Sequence, residues 1–435
     1  MPAKYNGLPS AIGHNRALAL NTRAMFALAM FVVGASIIID IPLVGRLMGP
    51  DILCTLGLSL ALLSRRYHGF GRDAQLFFLM FGLWFTGAII TDIVRQTEFA
   101  DFIRGWAKIL LFAIIFAFSY LASRTKLAPI VYFYVGLQFG SLAQQIISPS
   151  AYFVDEPWKF GYGPPVTILV LALISTRDFL HRFKVLGQLA ILLAIAVANL
   201  AGNTRSIFGI LIVTTGLVWA AVQLDRFRRQ RPLPKWAFAA MLACGIVLSQ
   251  GVISAYETAA SSGLLGTAAL EKYESQSQAS LSFLQAGRTE SLVSLQAIAD
   301  SPLIGHGSWA RDFYYIGLYV RALEESGLRV AGDAYENDLI PTHSFLLGAW
   351  VESGILGGLF WSFCILVAFR ALYASFHIPL ESRPLVFFVI MNFFWCVLFS
   401  PFGAQERFFV AVELCIMLWA IRQSHVAGNP VTGGT

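Results

Sequence analysis

The sequence predicts an all-α membrane protein that crosses the bilayer about twelve times. The first observation is composition: 57% of the 435 residues are hydrophobic and 13% are charged, with a mean hydropathy of +0.67. The second is a recurrence of apolar runs close to the length needed to cross a ~30 Å hydrocarbon core. The third is an alternation of basic and non-basic connections between those runs. Together they exclude an ordinary soluble domain.

Twelve apolar runs account for most of the chain. They fall at residues 24–40, 46–64, 74–91, 105–122, 127–147, 164–176, 185–200, 205–222, 236–254, 343–369, 385–401 and 407–421. The first nine occupy residues 24–254 and the last three occupy residues 343–421. Residues 255–342 form one long polar connection between the ninth and tenth runs.

Lysine and arginine set the orientation. They concentrate in alternate connections, beginning with the tail at residues 1–23 and ending with the tail at residues 422–435. By the positive-inside rule, both termini are cytoplasmic and residues 255–342 lie outside. That loop carries eleven acidic and five basic residues, a balance of −6, although the whole chain has a net charge of +6. Topology and anionic lipids therefore explain the basic balance, and no nucleic-acid partner is expected.

The long loop has a helical pattern of its own. Residues 287–300 place Leu292, Leu295 and Ile298 at helical spacing, and the glycines around His306 then stop the helix. A second helix is predicted from Arg311 to Glu325. Its aromatic face suits either anchoring at the membrane surface or stacking on sugar rings. The sequence therefore predicts a largely helical loop.

His343 is the first candidate for chemistry, because it stands where the polar loop meets the tenth apolar run. A neutral imidazole can accept a proton from an attacking hydroxyl. At the end of a span it could meet a soluble group and a lipid-borne group together. The alternative is a histidine that only caps the helix or sits at the interface.

Arg205 and Arg288 are candidates for binding an anion. Arg205 stands at the outer mouth of the eighth run, where a charge near hydrocarbon is costly unless paired or hydrated. Arg288 begins the first loop helix, whose free amide groups already favour anions. A guanidinium matches phosphate oxygens in a two-pronged geometry, so a lipid diphosphate would suit both. The alternatives are snorkelling for Arg205 and a solvated surface charge for Arg288.

Three weaker candidates are Arg407, Glu352 and Arg311. Structural ion pairing is the default interpretation of Arg407 and Glu352, and Arg311 begins the second loop helix. The sequence has no HExxH, GxxxxGK[ST], GxSxG or DxD motif. An enzyme built on these residues is therefore expected to use no metal and no cofactor.

Two stretches of this sequence resemble the O-antigen ligase and O-antigen polymerase superfamily of bacterial polysaccharide assembly. GRTESLVSLQAIADSPLIGHG, from Gly287, is similar to that family's arginine-bearing helix and glycine turn, and THSFLLGAWVESGILGG, from Thr342, is similar to its histidine and Glu-x-Gly block. NTRS at Arg205 is similar to a third short motif. Ser344 stands where asparagine is commoner in the family.

The resemblance implies a GT-C-like membrane bundle in the bacterial inner membrane with its active site facing the periplasm. It implies an inverting, metal-independent glycosyltransferase whose donor is a glycan on undecaprenyl diphosphate. Arg205 and Arg288 would hold the diphosphate and His343 would activate the acceptor hydroxyl. A polymerase would join repeat units of O-antigen or exopolysaccharide, and a chain-length co-polymerase could be its partner. A ligase would instead use lipid A-core as the acceptor. The alternative of another class is a glycan-lipid transporter, which predicts a polar path through several spans.

Overall fold

The structure, a computed structural model, describes residues 24–43, 45–64, 69–124, 126–176, 184–228, 233–240, 289–325 and 338–428, together with residues 243, 258, 259, 261 and 262. The described chain is mostly helical, as predicted. Its main α-helices, together with the five-residue helix α6, are in chain order α1 (Ala24–Ile38), α2 (Gly49–Leu63), α3 (Arg72–Arg95), α4 (Phe99–Ser123), α5 (Ala128–Ile147), α6 (Ala151–Asp155), α7 (Gly163–Thr176), α8 (Lys184–Ala201), α9 (Arg205–Arg228), α10 (Thr289–Asp300), α11 (Phe313–Glu325), α12 (Phe345–Ser375), α13 (Arg383–Phe399) and α14 (Glu406–Gly428).

Within the described part of the chain, eight helical segments are long and apolar enough to cross a membrane. They coincide with eight of the twelve predicted runs. Three shorter apolar helices, α1, α2 and α8, lie at three further predicted positions. A helix of 15 residues such as α2 extends only about 22 Å, which is less than the hydrocarbon core. Most of the remaining predicted run, 236–254, lies outside the described residues.

A short β-hairpin interrupts the helices near the start of the chain. Strand β1 (Asp40–Leu43) pairs antiparallel with β2 (Gly45–Met48). Gly45 has φ +96, a conformation that glycine adopts without a steric penalty, and Pro42 ends any continuation of α1. The predicted start of the second run at residue 46 is therefore wrong, because residues 46–48 belong to β2 and the helix begins at Gly49.

The bundle is centred on α12, which packs along α3, α13 and α14. Large aromatic side chains fill the space between these helices and α4. Trp84, Phe112, Phe360 and Trp361 are each at most 1% exposed. Their rings meet in tilted and edge-to-face contacts, including 4.8 Å between the centroids of Trp84 and Phe360. Such contacts bury much apolar surface and give the centre of the bundle a fixed shape.

The loop helix α10 packs against the beginning of α12, and α11 packs against α10. A second, smaller core forms there around Val293, Ala297, Tyr315, Ile340 and Val351. The predicted second helix starts two residues later than expected, at Phe313, because Arg311 pairs in a β-bridge with Leu339. Of the predicted aromatic face of this helix, Tyr315 is buried, whereas Phe313 and Tyr314 are exposed. The described part of the loop therefore packs on one end of the bundle.

A buried ion pair connects α14 with α2 at the same end of the bundle. Nε of Arg407, at the start of α14, donates to Oδ1 of Asp51 at 3.0 Å, and Nη2 donates to the backbone oxygen of Arg46 at 2.9 Å. The two side chains are at most 3% exposed. Because each charge is compensated by the other, this pair can connect α14 with α2 inside an apolar environment.

Candidate active site

A cavity of about 820 Å³ opens at the end of the bundle where α10, α11 and the β-hairpin meet the start of α12. Its lining combines aromatic side chains with several ionisable ones. The aromatic lining comprises Trp84, Trp309, Tyr319, Phe345, Trp361 and Phe402. The ionisable lining, apart from tyrosine, comprises Arg46, Arg104, Lys108, Glu290, His343 and Glu352. A large concave site with few convergent polar groups is typical of ligand binding.

His343 stands in the wall of this cavity, immediately before α12. Its side chain is 48% exposed, and its Nδ1 lies 3.9 Å from Oε1 of Glu290. Ser344 caps the helix, because its Oγ accepts from the backbone nitrogen of Leu347 at 3.2 Å. His343 is therefore not the capping residue, and its ring remains accessible from the cavity.

Glu290 is supplied by the first turn of α10. The hydroxyl of Tyr319 donates to its Oε1 at 3.1 Å. Burial, together with the neighbouring Glu290 carboxylate, raises the pKa of Tyr319 to about 12. The phenol therefore stays protonated at neutral pH and remains a donor. Ser294, one turn along α10, also donates to the backbone oxygen of Pro341 at 2.9 Å. These contacts hold α10 and the segment before His343 together.

Lys108 and Glu352 form an ion pair deeper in the cavity. Nζ of Lys108, on α4, is 2.5 Å from Oε2 of Glu352, on α12. The two side chains are 10% and 20% exposed, so the pair is largely withdrawn from water. Ionisable residues at membrane depth are costly, and they commonly mark a functional pathway or site.

Arg104 and Arg46 add positive charge nearer the opening. Nη1 of Arg104 donates to Oδ1 of Asp101 at 3.1 Å, and Nε of Arg46 donates to Oδ2 of Asp40 at 2.9 Å. Their side chains are 33% and 47% exposed. Both arginines therefore line the cavity with side chains that are partly exposed.

A turn between α10 and α11 is seated on a kink in α12. The kink is at Gly354, which has φ +63 and ψ −157 inside the helix. The backbone nitrogen of His306 donates to the oxygen of Val351 at 2.7 Å, and that of Gly307 donates to the oxygen of Glu352 at 3.1 Å. The glycine turn and the Glu-x-Gly segment therefore contact each other directly, although Gly305 and Ser353 are 48 residues apart in sequence.

The predicted site residues are only partly brought together. His343 and Glu352 line the same cavity: His343 lies 3.9 Å from Glu290, and Glu352 lies 2.5 Å from Lys108. Arg205 begins α9 and is not among the lining residues. Arg288 lies outside the described residues. Its proposed contact with a diphosphate stays a prediction.

The other two weaker candidates are engaged in ion pairs. Arg407 is held by Asp51 and by a backbone oxygen within the bundle. Arg311 lies 2.9 Å from Asp101 and 2.6 Å from Asp338, and both carboxylates raise its pKa. Neither arginine lines the cavity. The default interpretation of Arg407 as a paired charge therefore agrees with its surroundings.

The sequence did not identify Lys108, Glu290, Trp309, Arg46 or Arg104 as site residues, although all of them line the cavity. Lys108 could have been found, because a lone lysine inside an apolar run is a recognised signal. Glu290 gave no comparable signal, since an acidic residue in the first turn of a helix is common. Trp309 and Arg46 gave no signal either, because the backbone conformation of the turn and the hairpin, which place them at the cavity, were not predicted.

Among the residues that the structure describes, no group of three or more His, Cys, Asp or Glu side chains is arranged to hold a metal ion. The cavity instead offers one imidazole, two carboxylates and three cations. Comparisons with protein-family models, with curated proteins and with solved structures found no match to this chain.

Proposed function

We propose that this chain is a membrane glycosyltransferase that moves a glycan from undecaprenyl diphosphate to the hydroxyl of an acceptor sugar, and that it polymerises repeat units of O-antigen or exopolysaccharide. The observation that supports the proposal is the cavity in which His343, Glu290 and three cations converge beside apolar, membrane-length helices. A lipid-linked donor and a water-soluble acceptor could both reach such a position.

His343 would act as the general base. With its Nδ1 toward Glu290, the opposite ring nitrogen, Nε2, would take the proton of the acceptor hydroxyl. The acceptor oxygen would form a bond to the anomeric carbon, and the bond from that carbon to the diphosphate would break. The electron pair would leave with the diphosphate, and the configuration would invert. Glu290 would then stabilise the imidazolium ion, as carboxylates do beside catalytic histidines.

The cations would stabilise the charge that builds on the departing diphosphate. Fixed charges in a site with little water stabilise developing charge most effectively. Lys108, Arg104 and Arg46 are the lysine and arginine residues that line the cavity together with His343. The resemblance implies this role for Arg205 and Arg288, and both remain proposed contacts; Arg288 directly precedes α10 in sequence.

The proposed setting is the bacterial inner membrane, with twelve spans, both termini in the cytoplasm and residues 255–342 in the periplasm. The ends of the helices give some support. The connections predicted to be external, including the β-hairpin and the starts of α4, α12 and α14, gather at the cavity end of the bundle. Labelling of single introduced cysteines with a membrane-impermeant reagent would test the orientation. Labelling of residue 258 only after cell lysis would contradict it.

The decisive experiment is the glycan profile of a deletion strain complemented with variants. His343→Ala should lower glycan transfer by about a hundredfold or more, because a general base contributes on the order of 10²–10⁴ in rate. The matched control is His425→Ala, an exposed histidine near the end of α14. Both proteins should be quantified in the membrane fraction. A normal profile with His343→Ala would remove this residue from the mechanism.

The same strain separates the alternative activities. Single repeats that accumulate on undecaprenyl diphosphate indicate a polymerase. Long polymer that accumulates on undecaprenyl diphosphate indicates a ligase acting on lipid A-core. Lipid-linked glycan that stays on the cytoplasmic face indicates a transporter, and that result would contradict the proposed reaction.

A further inference from the structure

Trp309 has an unusual backbone conformation for its residue type. Its φ is +56, in the left-handed region that bulky side chains rarely enter. Such conformations persist only where the surroundings determine them, and they concentrate at ligand-binding and catalytic sites. The neighbouring Gly307 also has a positive φ, of +103. The position of the indole therefore depends on a backbone conformation that tryptophan does not favour.

The turn is held in this conformation by Asp92, near the end of α3. This carboxylate is 4% exposed and accepts three hydrogen bonds. Its Oδ1 accepts from the backbone nitrogen of Ser308 at 2.7 Å, and its Oδ2 accepts from Oγ of Ser308 at 2.8 Å and from Nε1 of Trp106 at 2.8 Å. Ser308 also packs so closely on Gly105 that a β-carbon there would lie 2.1 Å from its Oγ. Helices α3 and α4 thus fix the residue before Trp309.

The indole of Trp309 lies next to the partly buried Lys108–Glu352 ion pair of the cavity. Nζ of Lys108 lies 5.2 Å from the centroid of the Trp309 ring and 2.5 Å from Oε2 of Glu352. All three residues line the cavity. An aromatic ring, an ammonium group and a carboxylate therefore form one contiguous surface.

This combination matches the chemistry of a pyranose ring. The face of the sugar presents C–H groups, which pack on an aromatic face, and its edge presents hydroxyls. A hydroxyl can donate to a carboxylate and accept from an ammonium group, so Glu352 and Lys108 can bind the edge while Trp309 packs on the face. A tryptophan that only filled space would not require a strained backbone at the wall of a cavity.

We propose that Trp309, Lys108 and Glu352 form a sugar-binding subsite, in which the indole stacks on a pyranose ring and the ion pair selects its hydroxyls. As the acceptor-binding part of the site, it rests on the proposed function. His343 and Glu290 would perform the chemistry, and this subsite would decide which sugar is presented to them. Asp92 is a positioning residue, because it acts on the subsite through the turn.

The test is Trp309→Gly in the full-length protein, reconstituted in lipid nanodiscs. Glycine adopts φ +56 without strain, so this variant removes the ring while keeping the turn. The control is Trp219→Ala, because Trp219 is 55% exposed on α9 and does not line the cavity. Binding is measured by saturation-transfer NMR with methyl glycosides of glucose, galactose, mannose, rhamnose and N-acetylglucosamine.

The expected result is saturation transfer to the ring protons of at least one glycoside, with affinity about tenfold lower in Trp309→Gly and unchanged in Trp219→Ala. Absence of transfer to every glycoside in the unmodified protein overturns the proposal. Equal affinity in Trp309→Gly also overturns it. The readout does not depend on catalysis. If the deletion strain keeps a normal glycan profile while Trp309→Gly loses sugar binding, the proposed function fails and the subsite stands. If His343→Ala abolishes transfer while Trp309→Gly binds sugar normally, the subsite alone fails.

Discussion

Gly354 offers the sharpest test of how the turn and α12 fit together. The change is Gly354→Ala, the addition of one methyl group. The residue has φ +63 and ψ −157, a region that is essentially restricted to glycine, and an alanine there costs about 1–3 kcal/mol in backbone strain. The new β-carbon would also lie 2.1 Å from the backbone oxygen of Leu303 and 2.6 Å from the carbonyl carbon of Ile304. Backbone atoms cannot rotate away as a flexible side chain would.

Relief of that clash requires the turn to lift from the kink. The two hydrogen bonds from His306 and Gly307 to α12 would then be lost, at about 1 kcal/mol each. Together, strain and lost bonds predict a decrease in stability of about 3–5 kcal/mol. Because Glu352 accepts one of those bonds, the variant should also displace the cavity wall and lower glycan transfer.

Differential scanning fluorimetry of the detergent-purified protein provides the assay, since ten tryptophans report on unfolding. The matched control is Gly82→Ala on α3, where a β-carbon would meet no heavy atom within 4 Å. Replacing glycine by alanine inside a helix should leave stability unchanged or raise it by up to about 1 kcal/mol. An unfolding temperature of Gly354→Ala equal to that of Gly82→Ala would refute the reasoning.

Two further predictions concern charged and hydrogen-bonded pairs. Arg407→Met should destabilise the protein by about 3–5 kcal/mol, because it leaves Asp51 buried without a counter-charge. The double variant with Asp51→Leu should recover much of that loss in the same fluorimetric assay, and no recovery would contradict the pairing. Tyr319→Phe should lower the glycan-transfer rate about fivefold, since Glu290 loses a hydrogen bond worth roughly 1 kcal/mol. The exposed Tyr314→Phe is its control, and equal rates would show that the phenol does not position Glu290.

Much of the helical framework could be predicted because apolar runs of membrane length have few alternative structures. The end of α10 ahead of Gly305 and Gly307 was also predictable, since such a glycine pair suits no helix interior. The hairpin was missed because Ile41, Leu43 and Leu47 continue the apolar composition of the neighbouring runs. Composition alone does not distinguish a short strand from the end of a helix.

The residues that line the cavity were only partly predictable, for a physical reason. His343 was found because it stands at a boundary in composition, which is a local property. The pairing of Lys108 with Glu352 spans 244 residues, and that of Asp51 with Arg407 spans 356. Such pairs are determined by how helices pack, and nothing within either local segment specifies the partner. For this reason the sequence could not distinguish Arg205 and Arg407, which do not line the cavity, from charged residues that do.

The remaining hydrogen-bonding capacity of each cation distinguishes a structural charge from one that can bind a ligand. Arg407 uses Nε and Nη2 on Asp51 and on a backbone oxygen inside the bundle, so an incoming anion would have to break a buried pair. Among the partners that the structure describes, Lys108 donates to a single carboxylate, which leaves two of its three N–H groups for a ligand. Arg104 likewise donates once, to Asp101, and keeps four N–H groups while facing the cavity. A diphosphate or a sugar can therefore gain hydrogen bonds from Lys108 and Arg104 without leaving a buried carboxylate uncompensated.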